Sequence, residues 1–166
     1  MTQPTHQPSH IVFRVPCIPA GQPRPRATIR GKHAGVYTPE TVGKGRERKP
    51  HPAVEFKAAV RAAFTAAYQG PPLQGPLLVT CFLVFPRPAA KVWKRKPMPR
   101  EWHTAKPDRD NTDKTILDAL TGLAWSDDAQ VADGRILKVI ADGQEQPHAQ
   151  ITIMRMAYPP PSFGLK

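Results

Sequence analysis

The sequence predicts one α/β (α+β) domain, a small mixed β-sheet with two main helices packed on it. Three observations predict it. Phe56, Val60, Phe64 and Tyr68 recur every four residues, the spacing of one helix face. Leu77 to Phe85 is apolar except for Thr80, as in a central strand covered on both faces. Stretches of strand and helix character follow one another as strand, helix, strand, helix, strand, strand. The chain has 166 residues, which suits a single domain over 9–157 with a loose polar tail at 1–8 and a Pro-rich tail at 158–166.

The first strand is His10 to Val15, ended or bent by Pro16. Residues 19–51 read as a long basic loop, with Arg24, Arg26, Arg30, Lys32, Lys44, Arg46, Arg48 and Lys49 against Glu40 and Glu47. A loop of that length is often functional. Pro52 suits a first helical turn, and the amphipathic helix runs to about Gln69, where Gly70-Pro71-Pro72 stops it. After the Leu77–Phe85 strand, residues 86–106 form a second basic connection. Arg87, Lys91, Lys94, Arg95, Lys96 and Arg100 alternate there with Trp93 and Trp102. Arg135 to Ala141 and His148 to Met156 read as two final strands around an Asp142-Gly143 turn, able to pair as a hairpin.

Composition narrows the function. The net charge is +11, which suits a polyanionic partner, nucleic acid first. No apolar run is long enough to span a membrane, no basic amphipathic helix is evident, and the N-terminus lacks the layout of a signal peptide. These features predict a cytoplasmic protein with no membrane partner. Cys17 and Cys81 sit in apolar strand-like contexts and read as reduced thiols. The histidines lack zinc-ligand spacing, and there is no Gly-rich phosphate loop.

Of the 13 acidic residues, six fall between positions 108 and 128, and all six are Asp. Pro107 biases Lys106 towards an extended backbone, and Asp110 or Asn111 can cap the helix that follows. Ile116, Leu120 and Leu123 form its apolar stripe with Leu117 beside it, and Gly122 fits its stop. Asp110, Lys114 and Asp118 share one face, while Asp113 faces away and reads as solvated. A chain reversal after this short helix would bring Asp127 or Asp128 beside Asp108 and Asp110. Clustered carboxylates repel one another, and a hard divalent cation removes that cost. Such an ion polarises a phosphoryl oxygen and lowers the pKa of a bound water, and a nearby lysine balances phosphate charge. The bland alternative is helix capping and a surface pair between Lys114 and Asp118.

Lys-Pro-Asp-x-Asp-Asn-x-x-Lys-x-x-x-Asp-Ala-Leu, followed by Trp-x-Asp-Asp-Ala-Gln-Val, resembles the RusA family of Holliday junction resolvases. Gly21-Gln22-Pro23-Arg24-Pro25-Arg26 with Tyr37-Thr38-Pro39 is similar to the N-terminal region of many such proteins. The resemblance implies a RusA-like fold, a homodimer, bacterial or phage coding, Mg²⁺ (or Mn²⁺ in its place) as cofactor, and four-way DNA junctions as substrate in recombination and repair. It implies metal ligation and catalysis by Asp108, Asp110 and Asp128, with Lys114 important for activity and Asp127 and Asp118 unassigned. Arg24, Arg26, Arg30, Lys94, Arg95 and Lys96 are then candidate phosphate contacts. Two rival readings stay open: a basic nucleic-acid-binding module without catalysis, and a metal-dependent nuclease acting on other branched DNA.

Overall fold

The computed structural model describes residues 7–30, 33–43 and 45–157, the side chain of Arg30 excepted. Strand β1 (His10–Val15) alternates exposed and buried, so Ile11, Phe13 and Val15 face the core. The stretch 19–51 is not structureless. It holds two short antiparallel hairpins, β2 (Arg26–Arg30) with β3 (His33–Tyr37), and β4 (Thr41–Val42) with β5 (Lys49–Pro50). The sequence hid them because β3 and β4 are exposed throughout, so no burial alternation marks them.

Helix α1 (Pro52–Ala67) has Pro at its first position, and His51 Nδ1 accepts the Ala53 N–H at 3.1 Å. Its stripe of Phe56, Val60 and Phe64 is buried, with the Phe64 ring edge-on to Phe13 at 5.6 Å. Strand β6 (Leu77–Phe85) follows, then the two-residue β7 (Glu101–Trp102), helix α2 (Arg109–Leu120), β8 (Val131–Ile140) and β9 (His148–Arg155). Ile116 and Leu120 of α2 are fully buried in the same core as α1, so both helices cover one face of the sheet.

The main sheet has five strands in the order β1-β9-β6-β8-β7 and is mixed. β6 lies at its centre, antiparallel to β9 and parallel to β8. The hairpin expected between the last two strands therefore does not form. β6 is the most apolar strand, and its backbone groups are satisfied only with a neighbour on each side. It takes that place, and β8 and β9 flank it. The β8 strand also begins earlier than its apolar run, because Ala132, Asp133, Gly134 and Arg135 are exposed and carry no periodic signal. A bulge near Leu77–Leu78 marks its start.

Trp125, read as part of a turn, is fully buried. Its Nε1 donates to Thr121 Oγ1 at 3.1 Å, so α2 ends on a packed indole. Gly122 beside it has φ +80°, the left-handed conformation that suits glycine after a helix. Cys17 and Cys81 are free thiols, and burial pushes the Cys81 thiol far up. Of the two tails, residues 1–6 and 158–166 lie outside the described residues. Gln7 donates to the Pro72 carbonyl at 3.1 Å.

Ile116 is fully buried where α2 meets the sheet. Ile116→Ala is expected to cost about 2–5 kcal/mol, the range for a large-to-small change in a core that cannot fully collapse. Urea unfolding followed by circular dichroism reads this as a lower midpoint.

Candidate active site

Asp108, not Asp110 or Asn111, is the N-cap of α2, and its own side chain makes no capping bond. Thr112 takes over that end of the helix, with its N–H and its Oγ1 both donating to the Asp108 carbonyl. The Asp108 carboxylate is thus unspent. Asp110 sits in the first turn, and both residues are exposed. The helix dipole favours negative charge here.

Three contacts hold the segment that presents Asp108. The first is Gly21. A Cβ on it would meet Pro107 Cβ at 2.7 Å and Asn111 Cβ at 3.3 Å, so only glycine permits this approach. The second is the Gln22 N–H, which donates to the Asn111 carbonyl at 3.0 Å. The third is Lys138 on β8, whose Nζ donates to the carbonyls of Ala105 at 2.9 Å and Pro107 at 2.5 Å. Lys138 also lies over the Phe85 ring, and Phe85 stacks on His103 with ring centres 4.0 Å apart. Burial lowers the Lys138 pKa, and the nearby Asp108 charge opposes that shift. Sequence reasoning missed Lys138. Its signal was a single lysine inside an otherwise apolar strand, Ile-Leu-Lys-Val-Ile.

A cleft of about 480 Å³ opens beside Asp108, lined among others by Gln22, Arg24, His51 and Lys106. Arg24, Arg26 and His51 also line a neighbouring cavity. Burial lowers the His51 pKa, and its Nδ1 already accepts a hydrogen bond, so the neutral ring carries its proton on Nε2. The Gly-Gln-Pro-Arg string and the Lys-Pro-Asp string therefore meet in space.

Other candidates fall elsewhere. Lys114 is exposed on α2. Asp118 pairs with Lys57 of α1 at 3.0 Å rather than with Lys114. Asp113 is not solvated: burial raises its pKa, with the Arg109 charge opposing. Arg26 opens β2, while Arg30 closes it and its side chain lies outside the described residues. Lys94, Arg95 and Lys96 are exposed in the 86–106 connection, and Trp93 and Trp102 are 42% and 71% exposed, so the indoles do not pin that loop to the core. Arg87 does so instead, bonding Glu101 and the carbonyls of Ala141 and Pro99.

Asp127 and Asp128 lie past the other end of α2. Asp127 caps a 3-10 turn at Asp128–Gln130, its Oδ1 accepting the Ala129 N–H at 2.9 Å. Its carboxylate is engaged, whereas that of Asp128 makes no such bond. Gln130 ties this turn to the Leu73 carbonyl beside the start of β6. The expected chain reversal beside Asp108 does not occur within one chain. The 12 residues of α2 put its ends about 18 Å apart at 1.5 Å per residue. Lys138, which reaches Pro107, sits on the opposite half of β8 from Val131. Among the described residues no three His, Cys, Asp or Glu side chains gather as a metal site.

The profile of the family described as endodeoxyribonuclease RusA matches residues 16–154. The chain belongs to the RusA endodeoxyribonuclease family. YqaN, an uncharacterized protein of Bacillus subtilis (strain 168), is 31% identical over 154 residues, which is 89% of this chain and 97% of YqaN. The mixed sheet with two helices on one face is thus the RusA-like fold on this sequence. Among the described residues, no helix is long and apolar enough to cross a membrane.

Two predictions follow from this RusA-family geometry. Lys138→Met strips two carbonyls of their partner and should cost about 1–3 kcal/mol. Thermal unfolding checks it, with Lys138→Arg losing less. Asp113→Asn should stabilise the protein at pH 7. The folded-state pKa of Asp113 lies above its ordinary value near 3.8, so ionisation disfavours the folded state. The gain should vanish as pH falls below that ordinary value, where the carboxyl is neutral in both states. Urea titrations at pH 7 and pH 3 measure the difference.

Proposed function

We propose that this RusA-family protein is a Mg²⁺-dependent endodeoxyribonuclease that resolves four-way DNA junctions as a homodimer, by paired symmetric cuts. The observation that carries the reading is the unspent Asp108 carboxylate. It stands with Asp110 at a helix start, beside a cleft lined by Arg24 and Lys106.

The donors fit a hard divalent cation, being carboxylate oxygens free of protein hydrogen bonds. Asp108 and Asp110 would hold it, and Asp128, at the other end of α2, would serve as the third ligand only from the second subunit of the homodimer. Bound there, Mg²⁺ supplies a water of lowered pKa and polarises the scissile phosphate. The chain's own residues do the rest. Arg24 and Arg26 bind phosphates along the cleft, and His51 donates its Nε2 proton towards them. Lys114 balances charge on the phosphate or orients a carboxylate. Gly21 and Lys138 fix the backbone so that Asp108 is presented in one geometry. Lys94, Arg95 and Lys96 add sequence-independent affinity from the second basic connection. In a homodimer the two sites share the symmetry of the two strands to be cut.

Cleavage of a labelled synthetic junction with Mg²⁺, beside EDTA, linear duplex and flap controls, tests this reading. Paired nicks on the junction only with Mg²⁺ are the expected result. Asp110→Asn should abolish cutting and retain junction binding by gel shift. Normal cutting by that variant would show the site to be elsewhere.

A further inference from the structure

The β2–β3 hairpin buries neither of its faces. His33 to Tyr37 is exposed throughout, and from Arg26 to Ile29 only Thr28 is half-buried. A two-stranded ribbon alone is marginal in water, and this one also leaves large aliphatic side chains there. Ile29 is 78% and Val36 74% exposed, the highest values for large hydrophobic residues among the described ones. The register sorts the ribbon into two unlike faces. Ala27 lies opposite Val36 and Ile29 opposite Ala34, so these four side chains form one aliphatic face. Arg26 lies opposite Tyr37 and Thr28 opposite Gly35, so the other face carries Arg26, Thr28, Tyr37 and His33.

The ribbon is rooted at the candidate active site. Arg24 and Arg26 on entering it, and Pro39 on leaving it, line the cavity that shares Arg24 and His51 with the Asp108 cleft. Its five-residue strands are about 16 Å long, or about five base steps of DNA.

We infer that this ribbon is a wedge for the branch point of DNA. Its aliphatic face stacks on the base pair that ends one arm, and its Arg26–Tyr37 face meets the backbone of the strand passing to the next arm. The inference rests on the proposed reading of four-way DNA as the substrate, and deepens it by assigning the part that tells a junction from plain duplex. Phosphate contacts alone do not make that distinction, because every duplex presents them. A branch point adds an unstacked base-pair face, flat and apolar, with a backbone turning away beside it. Aliphatic side chains are among the wedges that proteins place against such faces. The two unlike faces of the ribbon fit those two surfaces. Charge argues against a second ribbon as the occupant. Residues 21–39 hold Arg24, Arg26, Arg30 and Lys32 and no acidic residue, so two copies face to face would repel, whereas a phosphate backbone attracts them. Length fits as well, since a wedge rooted at the cleft reaches a branch point within about five steps of the phosphate held there.

Binding by the full chain tests this, measured in EDTA so that cleavage plays no part, on a four-way junction and on linear duplex of the same sequence. Ile29→Ser combined with Val36→Ser should weaken junction binding about tenfold and leave duplex binding nearly unchanged. Arg26→Gln should weaken both alike, as loss of a phosphate contact does. A 2-aminopurine at the branch point should brighten as the wild-type protein unstacks it, and stay dim with the double variant. Both replaced side chains are exposed, so the urea midpoint of the double variant should equal that of wild type, which separates loss of the wedge from loss of the fold. Equal losses on junction and duplex, or no loss on either, overturn the wedge. A lower sedimentation coefficient for the double variant assigns the aliphatic face to a contact between copies and also overturns it. The functional reading fails separately: a junction-selective loss in a protein that nicks no branched DNA leaves the wedge standing and removes the proposed nuclease activity.

Discussion

The parallel pairing of β6 with β8 is the constraint on which the rest of the structure depends. Two parallel neighbours cannot be joined by a tight turn. The chain must leave the end of β6, return along the sheet, and begin β8 at the same end as β6. Helix α2 makes that return. Its start is therefore fixed at the Phe85–Ile140 end, and everything after it is delivered to the Leu77–Val131 end. Asp108 and Asp128 owe their separation to this topology rather than to any local preference. The buried Trp125 and the Gln130 tether then lock the far end against Leu73.

The energetics divide along the same line. The helix-covered face carries an apolar cluster from Ile11 to Ile153, and it is the source of stability. The site end is held by polar and steric contacts instead, at Gly21, Gln22 and Lys138. Those groups are satisfied by the backbone of the 105–111 segment, so the segment has one arrangement rather than several. A half-buried lysine bonded to two carbonyls also places a positive charge near Asp108. That charge offsets part of the repulsion between the neighbouring Asp108 and Asp110 carboxylates.

Much of this was legible in the sequence. Periodicity placed α1, α2 and β6 to within a few residues, because each buries a continuous stripe. The Asp-x-Asp pair was correctly put at a helix start. What failed was non-local. Nothing within 135–156 reveals that β6 will insert between its last two strands, since pairing depends on which strand most needs two neighbours. The exposed hairpins at 26–50 bury no face and so left no alternation. Asp113 and Asp118 were misplaced for a related reason. Helical spacing gives a shared face but not what covers it, and α1 with its Lys57 lies on one flank while the sheet desolvates the other. Lys138 was passed over because a lysine in a strand ordinarily faces water.

The separation of Asp108 from Asp128 bears directly on the activity proposed above. The 12 residues of α2 keep the two carboxylates about a helix length apart, so one chain does not bring all three proposed ligands together. The proposed homodimer offers a way to close that gap, because a two-fold contact can set one end of a subunit beside the opposite end of its partner. On that reading neither site would be complete in a single chain, and the two would form together, related by the symmetry of the two strands to be cut.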